Sequence, residues 1–237
     1  MKSFTLDRGA EYRWSDMRRS KNRLHDRTEA GRELALRLKH MNLEHPLVVA
    51  LPRGGVPVGA EIARELSAPL DVLIARKIGA PGDPEYGLGA LGEDGTYVLD
   101  HERVAEAGYT EADLSDVLQR EKAEAQRRTR VYRAVLPAIE RKDRDVILVD
   151  DGAATGGTAM MAARLIRAQG AHRLVIALGV APPDTCRRLE HEADELVVLI
   201  RPANFYAVGQ FYEEFDPVEE PEVLRVLGAA SQSQRPA

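Results

Sequence analysis

Residues 146–158, Val-Ile-Leu-Val-Asp-Asp-Gly-Ala-Ala-Thr-Gly-Gly-Thr, constrain this chain more than any other stretch. Four consecutive apolar residues read as a strand buried on both faces, which belongs in a parallel sheet. Two carboxylates, Asp150 and Asp151, stand at its end. A loop of small and hydroxyl residues follows and opens a helix. Glycine lets a backbone approach a ligand closely. The N–H groups and the dipole of a helix start attract an anion. Gly152, Ala153, Ala154, Thr155, Gly156, Gly157 and Thr158 therefore suit a terminal phosphate, with the amides of 153–158 free to donate and two threonine hydroxyls beside them. Ionised carboxylates only accept, so Asp150 and Asp151 suit vicinal sugar hydroxyls, at about 1.5–3 kcal/mol for each charged hydrogen bond. Strand side chains alternate between faces, so both acids reach one ligand only where the backbone leaves the extended form. The same residues also read as an Asp-Asp turn before a glycine-rich helix start. No Gly-Lys-Ser/Thr follows, which excludes a Walker loop.

Strand and helix signals alternate on either side of this motif. Asp26 and Glu29 have the spacing of a capping box. Ala30, Leu34, Leu38 and Met41 give a helix over 27–40 one apolar stripe. Residues 47–51 read as a short strand, Pro52-Arg53-Gly54-Gly55 as a turn, and a helix follows with Pro57 early in it, to about Leu66. Residues 70–75 read as the next strand. Beyond the motif come a helix over 158–169 ended by Gly170, a strand at 174–178, a short helix at 184–191 and a strand at 196–200. This order predicts an α/β fold, a mostly parallel sheet with helices on both faces. Ligands of such sheets bind beyond the carboxyl ends of the strands, where residues 52–55 and 150–158 both fall. Between the two halves, residues 79–95 are rich in glycine and proline. Asp94-Gly95 predicts a turn between short strands at 88–91 and 96–99. Residues 110–133 read as a long helix capped by Thr110, its charges a solvated face. The polar residues 231–237 read as a disordered tail.

Composition excludes several classes. The formal charge of −5 argues against a nucleic-acid partner. One cysteine, Cys186, cannot form an internal disulfide and fits a reducing compartment. No apolar run approaches the ~20 residues of a membrane helix, and the first residues lack the apolar core of a signal peptide. The expectation is a cytoplasmic protein without a membrane partner. Gly87, Gly89 and Gly92 match a dinucleotide fingerprint in letters only, because a turn rather than a helix follows them. The six histidines are scattered without metal spacing, and no zinc, Cys-x-x-Cys or nucleophile-elbow motif occurs.

The thirteen residues resemble the phosphoribosyl-pyrophosphate signature of type I phosphoribosyltransferases, and 154–158 are most similar to its adenine-type version. The likeness extends more loosely over 47–200. The whole chain resembles the uncharacterised "predicted phosphoribosyltransferase" group. The resemblance implies one type I phosphoribosyltransferase-like domain over 1–237, with a core at about 27–200, a flexible lid loop and a long helical insertion within about 79–140, and a small hood at about 201–225. It implies transfer of the 5-phosphoribosyl group from 5-phosphoribosyl 1-pyrophosphate to a nucleobase-like nitrogen, with release of pyrophosphate. It further implies Mg²⁺ carried mainly on the substrate, and a homodimer.

In that assignment Asp150 and Asp151 hold the ribose hydroxyls and Gly152 to Thr158 hold the 5-phosphate. Arg53, Gly54, Gly55 and Lys77 hold the pyrophosphate, in a loop where family members often keep a strained, sometimes cis, peptide. Catalysis rests on Asp150, Asp151, Lys77 and Arg53. Arg76 competes with Lys77 for the family's basic position, and a strand end with two solvated charges is the plain alternative. Residues 79–86 resemble the mobile loop that closes over the site, carrying in Glu85 and Tyr86 to keep water from a ribosyl cation; a simple surface loop is the alternative. Phe205 and Tyr206 would stack on a flat acceptor, unless their aromatic cluster is a small core or a subunit contact. Hypoxanthine-type enzymes carry an acid where this chain has Ala154, so a general base must come from elsewhere, with Glu85 a candidate. The alternative function is a non-catalytic phosphoribosyl-pyrophosphate-sensing regulatory protein. A phosphosugar hydrolase or isomerase would need an acid–base pair that is not found.

Overall fold

The structure, a computed structural model, describes residues 23–233. The chain runs α1 (Arg27–Leu38), β1 (Leu47–Ala50), α2 (Gly55–Leu66), β2 (Leu70–Val72), β3 (Ala75–Ala80), β4 (Asp83–Gly92), β5 (Tyr97–Leu99), α3 (His101–Glu106), α4 (Ser115–Arg133), β6 (Asp145–Gly152), α5 (Gly157–Ala168), β7 (Arg173–Val180), α6 (Pro183–Glu190), β8 (Glu195–Ile200) and α7 (Glu220–Ser233). Five strands form a parallel sheet in the order β2-β1-β6-β7-β8. The predicted α/β class holds.

The sheet is covered because its central strands are apolar on both sides. On β6, Ile147 and Val149 join one core with residues of α1, α2 and α7, while Val146 and Leu148 join another with α5 and α6. Burying a side chain of this kind is worth about 1.5–3 kcal/mol, so neither face can stay bare. The start of α1 is set by Asp26, whose carboxylate accepts the Glu29 N–H at 2.7 Å. The Glu29 carboxylate accepts from the His25 N–H at 2.6 Å, one residue before the partner that a capping box uses.

The expected strand at 70–75 is divided. β2 ends at Val72, and the chain then leaves for a second, antiparallel sheet, β3-β4-β5. Residues 79–86, expected as a flexible lid loop, are instead the end of the β3–β4 hairpin. Gly79 and Ala80 close β3, Pro81 and Gly82 make the turn, and β4 begins at Asp83. Gly82 sits at φ +86°, where glycine is the default residue. Apolar packing holds the hairpin: Ala80 and Leu88 contact Val104 and Leu114, and Ile78 and Leu91 contact Val117 and Ala125 of α4. The narrow apolar edge of the charged helix thus covers the small sheet.

A buried ion network joins the two sheets. Asp71 on β2 is fully buried and accepts from Arg133 Nη1 at 2.5 Å and from Arg141 Nη2 at 3.1 Å. Arg133 also bonds to Glu93, in the turn after β4. After β8 the chain returns to α1. Leu24 N–H donates to the Phe211 carbonyl at 2.8 Å, and Glu213 N–H donates to the Leu24 carbonyl at 2.8 Å. α7, which the sequence reading lacks, buries Val223 and Leu227 and includes 231–233 of the expected tail. Residues 234–237, and the N-terminal segment tested for a signal peptide, lie outside the described residues.

Candidate functional site

β6 stays extended through both acids and remains paired with β7 as far as Gly152 and Val180. Alternation along the strand puts Asp151 on the face of Ile147 and Val149, where α1 packs. Asp150 follows Val146 and Leu148 to the face of α5. On the α1 side, Arg27 Nε donates to Asp151 Oδ2 at 2.8 Å, and both side chains are only 12% exposed. Arg27 is itself fixed: Nη1 donates to the Asp216 carbonyl at 2.9 Å, and the guanidinium lies 3.9 Å over the Phe215 ring. Tyr212 Oη donates to the Asp151 carbonyl at 2.7 Å. Burial, and then the charge of Asp151, pushes the Asp150 carboxyl well above the usual carboxylate range. Burial raises Asp151 as well, with the Arg27 ion pair and hydrogen bond opposing that rise.

The turn after β1 lies directly on these acids. Its Pro52–Arg53 peptide bond is cis. A Cβ on Gly54 would coincide with the Asp151 carboxylate. One on Gly55 would come 2.6 Å from the Val149 carbonyl oxygen and 3.2 Å from Asp150 Oδ1. Only glycine fits at either place. Arg53 is exposed, with Nη1 3.3 Å from Glu219 Oε2.

Beyond the acids, Gly156 at φ +76° redirects the chain so that α5 starts at Gly157. The first amides of a helix have no partner within it, which leaves this turn able to donate to an anion. The Ala153 amide does not share that role, contrary to expectation: it bonds to the Val180 carbonyl at 2.9 Å. Thr185 Oγ1 braces the loop by donating to the Ala154 carbonyl at 2.6 Å.

Arg53 and Thr158 line one cavity of about 540 Å³, and Leu73, Ile74, Val131 and Tyr132 form its apolar wall. Sequence reasoning missed this wall. Lys77 lies outside the lining, its Cδ 3.4 Å from where a Gly87 Cβ would stand. Arg76 pairs with Glu121 of α4 at 2.9 Å. Tyr86, on β4, lies 5.0 Å beneath the Arg103 guanidinium, and the side chain of Glu85 is outside the described part. Phe205 stacks on Phe211 at 5.8 Å, and Tyr206 is 88% exposed. Neither borders the cavity.

Among the described residues, no group of three or more His, Cys, Asp or Glu side chains is placed to hold a metal ion. Two carboxylates, one already bound by Arg27, are too few oxygens for a divalent cation on their own. A divalent ion held here would need most of its oxygens from a substrate. No described helix is long and apolar enough to cross a membrane.

The sequence profile of the phosphoribosyl transferase domain matches residues 21–216. Two curated Mycobacterium tuberculosis proteins, from strains CDC 1551 / Oshkosh and ATCC 25618 / H37Rv and each named "Putative phosphoribosyl transferase", are 43% identical over 205 residues, which is 86% of this chain and 46% of theirs. The chain thus spans about half the length of the curated relatives it matches. The crystal structure of TT1426 from Thermus thermophilus superposes with a TM-score of 0.81 at 41% identity, covering 88% of this chain and 99% of that one. By the profile match and by these relatives, this chain belongs to the phosphoribosyl transferase domain family.

Proposed function

We propose that the protein binds 5-phosphoribosyl 1-pyrophosphate and transfers its phosphoribosyl group to a nitrogen nucleophile. The acidic end of β6 serves the ribose hydroxyls, the start of α5 with Thr158 takes the 5-phosphate, and Arg53 with the 54–55 backbone takes the pyrophosphate. One observation carries the reading: the turn that bears Arg53 presses its glycines onto Asp150 and Asp151, while Arg53 and Thr158 share one cavity. Anion donors from the two turns thus share one cavity, and the first of these turns packs on the acids.

In the reaction the C1–O bond to pyrophosphate breaks as the C1–N bond forms, and the proton of the acceptor nitrogen passes to the departing pyrophosphate or to water. Charge builds on the departing oxygens. Preorganised donors at Arg53 and in the glycine turn would stabilise it without reorganising. Mg²⁺ fits as a partner of the substrate oxygens, where it would neutralise part of that charge. The wall of Leu73, Ile74, Val131 and Tyr132 gives a flat, mostly apolar acceptor a surface and excludes water from it.

A second reading is a sensor that binds the phosphoribosyl donor without turnover. One experiment tests both. The protein is incubated with the donor, Mg²⁺ and a panel of nucleobases and related heterocycles, while pyrophosphate and nucleotide are followed. Pyrophosphate released in step with a new nucleotide supports the transferase. Saturable binding without turnover across the panel supports the sensor. No binding removes both.

A further inference from the structure

Resting on that reading of the site, we infer that the two acids divide the work: Asp150 alone meets the ribose, and Asp151 is an internal anchor that Arg27 holds against the pyrophosphate turn. Arg27 is then a positioning residue, acting on the substrate's leaving end through Asp151 and Gly54.

Three observations carry this. First, the strand never leaves the extended form, so the acids leave it on opposite faces. Asp150 shares its face with α5 and the phosphate turn, and Asp151 shares its face with α1. Second, Asp151 is already engaged. Its Oδ2 accepts from Arg27 at 2.8 Å, its carboxylate fills the space where a Gly54 Cβ would stand, and Tyr212 holds its carbonyl. Asp150 remains partly exposed, and its Oδ1 accepts the adjacent Asp151 N–H at 2.9 Å. Third, Arg27 is gripped at its far end by the Asp216 carbonyl and the Phe215 ring. A side chain fixed at both ends sets where Asp151 lies. Asp151 in turn sets how closely Gly54, and with it Arg53, approaches the cavity.

Division of roles predicts separable losses. Calorimetry with Mg²⁺ would measure three ligands, phosphoribosyl pyrophosphate, ribose 5-phosphate and pyrophosphate, on the wild type and on Asp150→Asn, Asp151→Asn, Arg27→Gln and Arg27→Lys. Asp150→Asn is expected to weaken both sugar ligands about tenfold or more and to spare pyrophosphate, the loss of one charged hydrogen bond. Arg27→Gln and Asp151→Asn are expected to weaken pyrophosphate and phosphoribosyl pyrophosphate about tenfold while ribose 5-phosphate changes less than about twofold. Arg27→Lys, which keeps the charge, should recover part of the loss. A purely structural role would lower affinity for all three ligands alike. Equal loss of ribose 5-phosphate in the two aspartate variants, or uniform loss across ligands in Arg27→Gln, overturns the inference. If Arg27→Gln does not fold, Asp151→Asn decides alone: ribose 5-phosphate retained supports the division, and ribose 5-phosphate lost ends it. A wild type that binds none of the three refutes the sugar site itself, and the division with it.

Discussion

Gly54 and Asp151 touch with no room for one further carbon between them, although they stand far apart in the sequence. Gly54→Ala would force the turn away from the acids. Over-packing of this kind costs about 1–3 kcal/mol, so the melting midpoint should fall by several degrees. Phosphoribosyl-pyrophosphate affinity should fall further than the stability loss explains, since every molecule that does fold carries a displaced Arg53. Calorimetry on the folded variant checks this, and unchanged affinity would contradict the close approach.

Asp150 sits where a charge is unwelcome, because burial and the neighbouring Asp151 raise its pKa. Between the ordinary carboxylate range and that raised value, the folded chain binds more protons than the unfolded one. Its stability therefore falls as pH rises through that window. Asp150→Asn is expected to melt at a higher temperature than the wild type at neutral pH and to lose part of the wild type's decline with pH. The same variant should bind the sugar donor about tenfold more weakly or worse. Scanning calorimetry over a pH series reads the first effect, and a lower midpoint at neutral pH would sink it.

Asp71 is the common partner of two guanidinium groups. Asp71→Ala leaves Arg133 and Arg141 in a buried place without that partner, at a cost of about 3–5 kcal/mol. Arg133 also ties Glu93 to this point, so the hairpin sheet should loosen together with α4. Urea denaturation gives the magnitude. Hydrogen exchange should show β4 and α4 losing protection before β6 and β7.

Gly156 holds φ +76°, and a Cβ there would lie 2.9 Å from Thr185 Cγ2. Gly156→Ala is expected to cost about 1–2 kcal/mol from backbone strain alone. The start of α5 must shift to relieve the clash. Ribose 5-phosphate binding should weaken while free pyrophosphate binding is kept, because only the former uses this turn. Weaker binding of pyrophosphate alone would exclude the assignment of the turn to the 5-phosphate.

What the sequence made legible was local. The strand, the acids and the turn over 146–158 follow one another in the order in which their signals occur, and Gly95, at φ +86°, marks the turn that Asp94-Gly95 predicted. The start of the hairpin was misread because Gly79 and Gly87, taken as loop markers, lie within strands, facing each other across β3 and β4. Arg27 was absorbed by a good helix signature, and its partner lies 124 positions away, beyond any local pattern. α7 escaped notice although Val223 and Leu227 have helical spacing, because the polar residues beyond them resembled a tail. The cavity wall was hidden because Val131 and Tyr132 end a helix whose charges dominate its composition.

The short parallel bridge between Leu24 and Tyr212 has a consequence for how the protein can be trimmed or extended. Leu24 is hydrogen-bonded to the strip that carries Tyr212, and Tyr212 reaches Asp151. The strip before α1 and the strip after β8 are therefore a single buckle, fastened over one of the two acids. Cutting away either half releases the other. A protease that nicks the chain near Glu213 should blunt sugar-donor recognition while the parallel sheet remains intact.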